Sequence, residues 1–139
     1  MKPYNILFIG NSYTYFNKMP TEYFNKIAES AGITVNVESV TRGGWTLLKH
    51  ASEEFEEGAK ITSLLKENSY DYVVLQEQSF RPAVDPKRFF DGARALNEKI
   101  KANGATPFLY ATWGRGEGCA DLDKHSLTNK IMTEKLSAA

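Results

Sequence analysis

The sequence predicts an α/β fold, a three-layer α/β/α sandwich built on a parallel sheet, with residues 1–139 forming a single domain. Two observations predict it. Short apolar runs alternate with amphipathic stretches in the order β-α-β-α-β-α-β-α, and strands separated by helices pair in parallel through right-handed crossovers. The run Ile6–Ile9 is continuously apolar and closed by Gly10, as expected of a strand covered on both faces.

From Pro20 to Ala31, Tyr23, Phe24, Ile27, Ala28 and Ala31 fall at helical spacing, with Gly32 as the stop. Residues 33–40 alternate Ile33, Val35 and Val37 with Thr34, Asn36 and Glu38, a strand with one wetter face near a sheet edge. A helical region runs from about Thr46 to Asn68, interrupted around Glu57-Gly58, with Ile61, Leu64 and Leu65 as its buried stripe. Tyr72–Leu75 is the third strand. Asp85-Pro86 opens the next helix, aspartate as N-cap and proline in the first turn, and Asn103-Gly104 ends it. Thr106–Thr112 reads as a fourth strand and Ser126–Ala139 as a last helix. A four-stranded pattern of this kind ordinarily continues, so a fifth strand and the loop after it are expected to be missing from this sequence.

Composition narrows the function classes. The 17 basic and 17 acidic residues cancel, which argues against nucleic acid or an anionic membrane as partner, because such binding needs clustered excess Lys and Arg. The one cysteine, Cys119, allows neither an intrachain disulfide nor a paired-cysteine metal site. No apolar run is long enough for an export signal or a membrane helix, so the chain as it stands reads as cytoplasmic and without a membrane span.

Ligands of open parallel sheets bind beyond the C-terminal strand ends, where strand order reverses. Three loops leave such ends here. Gly10-Asn11-Ser12-Tyr13-Thr14 places a hydroxyl at a strand tip beside a helix N-terminus, suited to a nucleophile whose own N–H faces a developing oxyanion. The same loop could instead cap a turn or hold a phosphate. In Thr41-Arg42-Gly43-Gly44-Trp45, a bare glycine N–H can approach a reacting carbonyl unobstructed. Gln76-Glu77-Gln78-Ser79 sets two amides and a carboxylate at the exit of an apolar strand.

Together these segments resemble the SGNH/GDSL hydrolase superfamily. Ile6 to Thr14 is similar to its first block, with Gly-Asn-Ser in place of the commoner Gly-Asp-Ser; Gly43-Gly44 matches the second block, and Tyr72 to Ser79 stands in the place of the third. The likeness is strongest to a branch carrying Gly-Asn-Ser-Tyr-Thr, Gly-Gly-x-Thr-Leu and Leu-Gln-Glu-Gln-Ser, and it covers essentially the whole chain. The resemblance implies a flavodoxin-like domain that hydrolyses acyl esters of small molecules, carbohydrates or lipids, with neither cofactor nor metal. It implies Ser12 as nucleophile and first oxyanion donor, and Gly44, with Gly43 as alternate, as second donor. The family's third donor is an asparagine, which this block lacks, so Gln78 takes that role with Gln76 as alternate. Asn11, Trp45 and Trp113 are the expected substrate contacts.

One departure matters. The family's base lies in an Asp-x-x-His segment, and none occurs here: Asp121 and Asp123 precede His125 at the wrong spacing, and His50 lies in a helix behind the second loop. The isolated chain is therefore expected to hydrolyse esters poorly. Two other readings compete: an FMN- or phosphate-binding module using the first loop, and a non-catalytic domain that self-associates through an exposed sheet edge.

Overall fold

A computed structural model describes residues 1–139. Its centre is an all-parallel, four-stranded sheet in the order β2-β1-β3-β4. The strands are β1 (Tyr4–Gly10), β2 (Val35–Thr41), β3 (Tyr72–Leu75) and β4 (Thr106–Leu109). The second strand does lie at an edge. Strand order reverses at β1, and the register puts the tips level, with Gly10 opposite Thr41, Ile9 opposite Leu75 and Leu75 opposite Leu109. This alignment brings the loops after β1, β2 and β3 to one end of the sheet.

The helices are α1 (Ser12–Tyr15), α2 (Phe24–Ser30), α3 (Leu47–Ala51), α4 (Glu56–Glu67), α5 (Arg81–Val84), α6 (Pro86–Asn103), α7 (Ala120–Lys124) and α8 (Asn129–Ala138). One face of the sheet, through Leu7, Ile9, Val40, Val73 and Leu75, packs on Leu47 of α3, Ile61 and Leu65 of α4, and Phe89, Leu96 and Ile100 of α6 in the main core. On the opposite face Phe8 meets Phe24 of α2 edge-on, with ring centroids 5.3 Å apart. Beyond α2 this face stays an open groove, with Phe108 half exposed. A smaller core joins Phe80 and Ala83 to Leu122 of α7, Met132 of α8 and Leu127 between them. No helix is long and apolar enough to cross a membrane.

Four boundaries differ from the sequence reading. The break between the second-layer helices falls at residues 52–55, and Gly58 lies inside α4. A Cβ at Gly58 would stand 1.9 Å from the Ser52 carbonyl oxygen, so this glycine marks a close backbone approach and not a helix end. The helix expected from Pro20 begins as a π-turn over Met19–Tyr23, because Asn17 and Lys18 both take left-handed conformations, with φ of 54° and 56°. The fourth strand stops at Leu109, since β3 ends at Leu75 and offers no further partner. His125 caps the C-terminus of α7, whereas α8 starts from Thr128, whose hydroxyl accepts from the Ile131 N–H at 3.2 Å.

Candidate active site

The first loop is tightly built. The Asn11 side chain accepts from Tyr13 N–H at 3.1 Å and so caps α1, which makes Ser12 its first residue, with an N–H that has no acceptor within the helix. Beneath it Gln76 Oε1 accepts from Asn11 N–H at 3.0 Å and from the Thr14 hydroxyl at 2.8 Å. Gly10 makes room for this contact, because a Cβ there would lie 2.8 Å from Gln76 Oε1 and 2.3 Å from Thr14 Oγ1. The Gln76 amide nitrogen donates to the Glu77 carbonyl.

The second loop is tied to the first by Asn11 Nδ2, which donates to the Trp45 carbonyl at 3.0 Å. Gly44 sits exposed at φ +71°, a left-handed conformation that a side chain disfavours, and its N–H makes no backbone hydrogen bond. In the third loop, Gln78 Oε1 accepts from the Phe80 and Arg81 N–H groups, both at 3.0 Å, and caps α5. That leaves its amide nitrogen as a donor on the surface of a cleft shared with Gly44.

These placements divide the expected site residues. Ser12 opens on an apolar cleft of about 580 Å³, walled by Tyr13, Phe16, Met19, Tyr23 and Trp113. Trp113 is 59% exposed and packs on Tyr13 at 4.9 Å. Gly44 and Gln78 line a second cleft of about 280 Å³. The Arg115 guanidinium lies over one wall residue of each cleft, Tyr13 of the first (5.6 Å) and Phe80 of the second (5.2 Å). Three assignments need correction. Asn11 is buried and commits its side chain to the two loops, Gln76 has its amide engaged beneath them, and Trp45 turns inward against His50 and Phe55. All three shape the site from below and do not face a ligand. Gly43 is exposed, with the Tyr15 hydroxyl 3.2 Å from where its Cβ would stand.

Neither imidazole is hydrogen-bonded to Ser12. His50 is fully buried and its Nε2–H donates to the Gly10 carbonyl at 2.9 Å, which assigns the proton to that nitrogen because a carbonyl only accepts. Burial holds its pKa below the ordinary value, so the ring is a neutral brace under the first strand tip. His125 packs on Phe80 at 5.1 Å, in the second cleft.

Two residues at these clefts were given no role by the sequence: Arg115, in a glycine-rich loop, and Glu77, inside the Leu-Gln-Glu-Gln-Ser motif. Glu77 Oε1 accepts from Leu47 N–H at 3.2 Å and Gln78 N–H at 2.6 Å, locking the second loop's helix to the third loop, while Oε2 is buried without a partner. Burial pushes this carboxyl up to about 7, and the two N–H donors only partly offset it. A carboxylate set between two amides at the exit of an apolar strand was the available hint.

Below about 4.5 the carboxyl is protonated folded or unfolded; between there and about 7 only the folded chain holds the proton, so stability falls as pH rises. The total is on the order of 3 kcal/mol. Glu77→Gln is expected to remove this slope, becoming more stable relative to wild type at pH 8 than at pH 4.5. Urea unfolding of both proteins across that range measures it, and the difference curve cancels the opposite contribution of His50. Parallel curves would show that Glu77 ionises freely in the fold.

No protein-family profile matches the chain, and no curated protein does. Solved structures do. A protein from Slackia heliotrinireducens described as an SGNH hydrolase superposes with a TM-score of 0.84 at 34% identity, over 99% of this chain and 71% of that one. A psychrotrophic esterase from Pseudoalteromonas sp. gives 0.63 at 13% identity, covering 96% and 70%. A catalytic mutant of an acetylxylan esterase from Geobacillus stearothermophilus gives 0.56 at 14%, covering 96% and 73%. The last two share the fold.

Proposed function

The chain belongs to the SGNH hydrolase superfamily, hydrolases acting on ester bonds, and on that premise we propose that Ser12 is its nucleophile toward an acyl ester. The observation that carries this reading is the position of Ser12. It is the first residue of α1 at the tip of β1, with an uncommitted N–H, braced from beneath by Asn11 and Gln76 and open to an apolar cleft.

The reaction divides into familiar steps. A base removes the Ser12 proton as Oγ attacks the ester carbonyl carbon. The oxyanion that forms is met by the N–H of Ser12, the N–H of Gly44 and the amide of Gln78. Collapse expels the alcohol, which takes up the proton, and water then releases the acyl group from Ser12 by the same route. With neither imidazole bonded to Ser12, the 139 residues provide nucleophile and oxyanion donors but no positioned base. Turnover by the isolated chain is expected to be slow and to rise when imidazole is added as a diffusing base. An alkyl acetate, on which imidazole alone acts weakly, is the suitable substrate.

The oxyanion role is tested by Gln78→Ala. Loss of one such donor typically lowers turnover by about 10²–10³-fold. The variant should lose that factor in the imidazole-stimulated rate and keep its apparent affinity for substrate. Gln78→Glu, which preserves the cap on α5 but replaces the donor by an acceptor, should lose as much. Full activity in Gln78→Glu would remove this side chain from the mechanism.

A further inference from the structure

The second cleft has a charge pattern that ester hydrolysis alone does not require. Among its lining residues are Lys49, Arg81 and His125, together with Thr46 and Gln78, and no Asp or Glu lines it. Arg81 is held by Asp85 at 3.4 Å, but neither Lys49 nor Arg115 is within ion-pair distance of any carboxylate. Glu77 is engaged by the Leu47 and Gln78 N–H groups, and Glu117 accepts from the Asn129 N–H at 2.9 Å.

Arg115 is fixed in place. Its guanidinium lies over Tyr13 and Phe80, Nη2 donates to the Ser79 hydroxyl at 3.3 Å, and the Asn129 amide holds its carbonyl at 2.7 Å. Its Nε is buried with no partner at all. A guanidinium held still between a wall residue of each cleft, Tyr13 and Phe80, with no carboxylate on it is stabilised when an anion reaches its outer nitrogens. The first cleft, in contrast, is apolar around Ser12.

We propose that the ester this site takes is asymmetric: its acyl part occupies the apolar cleft beside Ser12, and its alcohol part carries an anionic group, carboxylate or phosphate, received by Lys49 in the second cleft and by Arg115 beside it, over Phe80. The division into acyl and alcohol sides rests on the Ser12 reading above; the anion cleft itself does not.

Binding of product-like alcohols separates the two. 4-Hydroxybenzoate and 4-hydroxyphenyl phosphate are the carboxylate and phosphate probes, and methyl 4-hydroxybenzoate is the neutral counterpart. Ligand-observed NMR titration at low ionic strength should give the anionic probes at least about tenfold tighter binding than the neutral one, a margin that shrinks in high salt. The tighter of the two anions identifies the group. Arg115→Gln should remove most of the margin. Lys49→Gln, at an exposed position whose loss leaves the core intact, should remove a further several-fold part and guards against misfolding of the first variant. Equal binding of neutral and anionic probes by the wild-type chain, or a margin unchanged in Lys49→Gln and in folded Arg115→Gln, would overturn the proposal. An anion preference without imidazole-stimulated, Ser12-dependent hydrolysis would leave this cleft standing and sink the nucleophile.

Discussion

Ser12→Ala is expected to erase the imidazole-stimulated part of ester hydrolysis while leaving the unstimulated rate nearly unchanged. The reason is non-additivity. Nucleophile and base act as a unit, so a chain without a positioned base has already lost most of what the serine can give. What remains comes from the oxyanion donors and from binding, and the alanine variant keeps the backbone N–H that belongs to that set. A positioned general base contributes about 10²–10⁴-fold, and free imidazole should recover a small part of it. Initial rates on an alkyl acetate against imidazole concentration give two lines, rising for wild type and flat for the variant. Two rising lines of equal slope would exclude Ser12. Vigorous wild-type hydrolysis with no added imidazole, lost in Ser12→Ala, would instead show that a histidine of this chain reaches the serine in solution.

The second large effect concerns stability. Gly92 lies in the middle of α6, where a Cβ would come within 2.4 Å of the Leu48 backbone nitrogen and 2.8 Å of the Leu47 carbonyl carbon. Those are main-chain atoms of α3 and cannot rotate aside. Alanine in a free helix would gain up to about 1 kcal/mol over glycine, but forcing α3 away from α6 opens the core around Leu47, Phe89 and Leu96. Overpacking of this kind costs about 1–3 kcal/mol and occasionally more. Gly92→Ala is therefore expected to lower Tm by roughly 5–10 °C. Because α3 carries His50 and abuts the second loop, the variant should also lose affinity at the second cleft. Gly116→Ala, where nothing lies within 4 Å, is the control and should melt with wild type. Coincident melting of all three chains would mean that α3 and α6 are not packed this closely.

Much of the fold was legible because its signals are local. The apolar run at Ile6–Ile9 suits a strand covered on both sides, and Asp85-Pro86 and Asn103-Gly104 bracket α6 where a cap and a stop belong. Boundaries failed where a distant contact decided them. Gly58 looks like a helix breaker until Ser52 is seen against it, and β4 ends early because its neighbour does. The same division runs through the site. Ser12 and Trp113 face the first cleft as their positions suggested, but Asn11, Gln76 and Trp45, equally polar or aromatic in print, turn inward to hold the loops.

The sequence by itself determined the sheet's strands, the three loops at their tips and the motifs that place the chain in its family, since each depends on residues adjacent along the backbone. Only the tertiary structure decided which side chains face a cleft, why Glu77 is held near neutrality and how Arg115 comes to stand free of any carboxylate. Orientation and desolvation are set by groups far apart in the chain that meet only after the strands align, as Tyr13 and Arg115 do across the sheet's end.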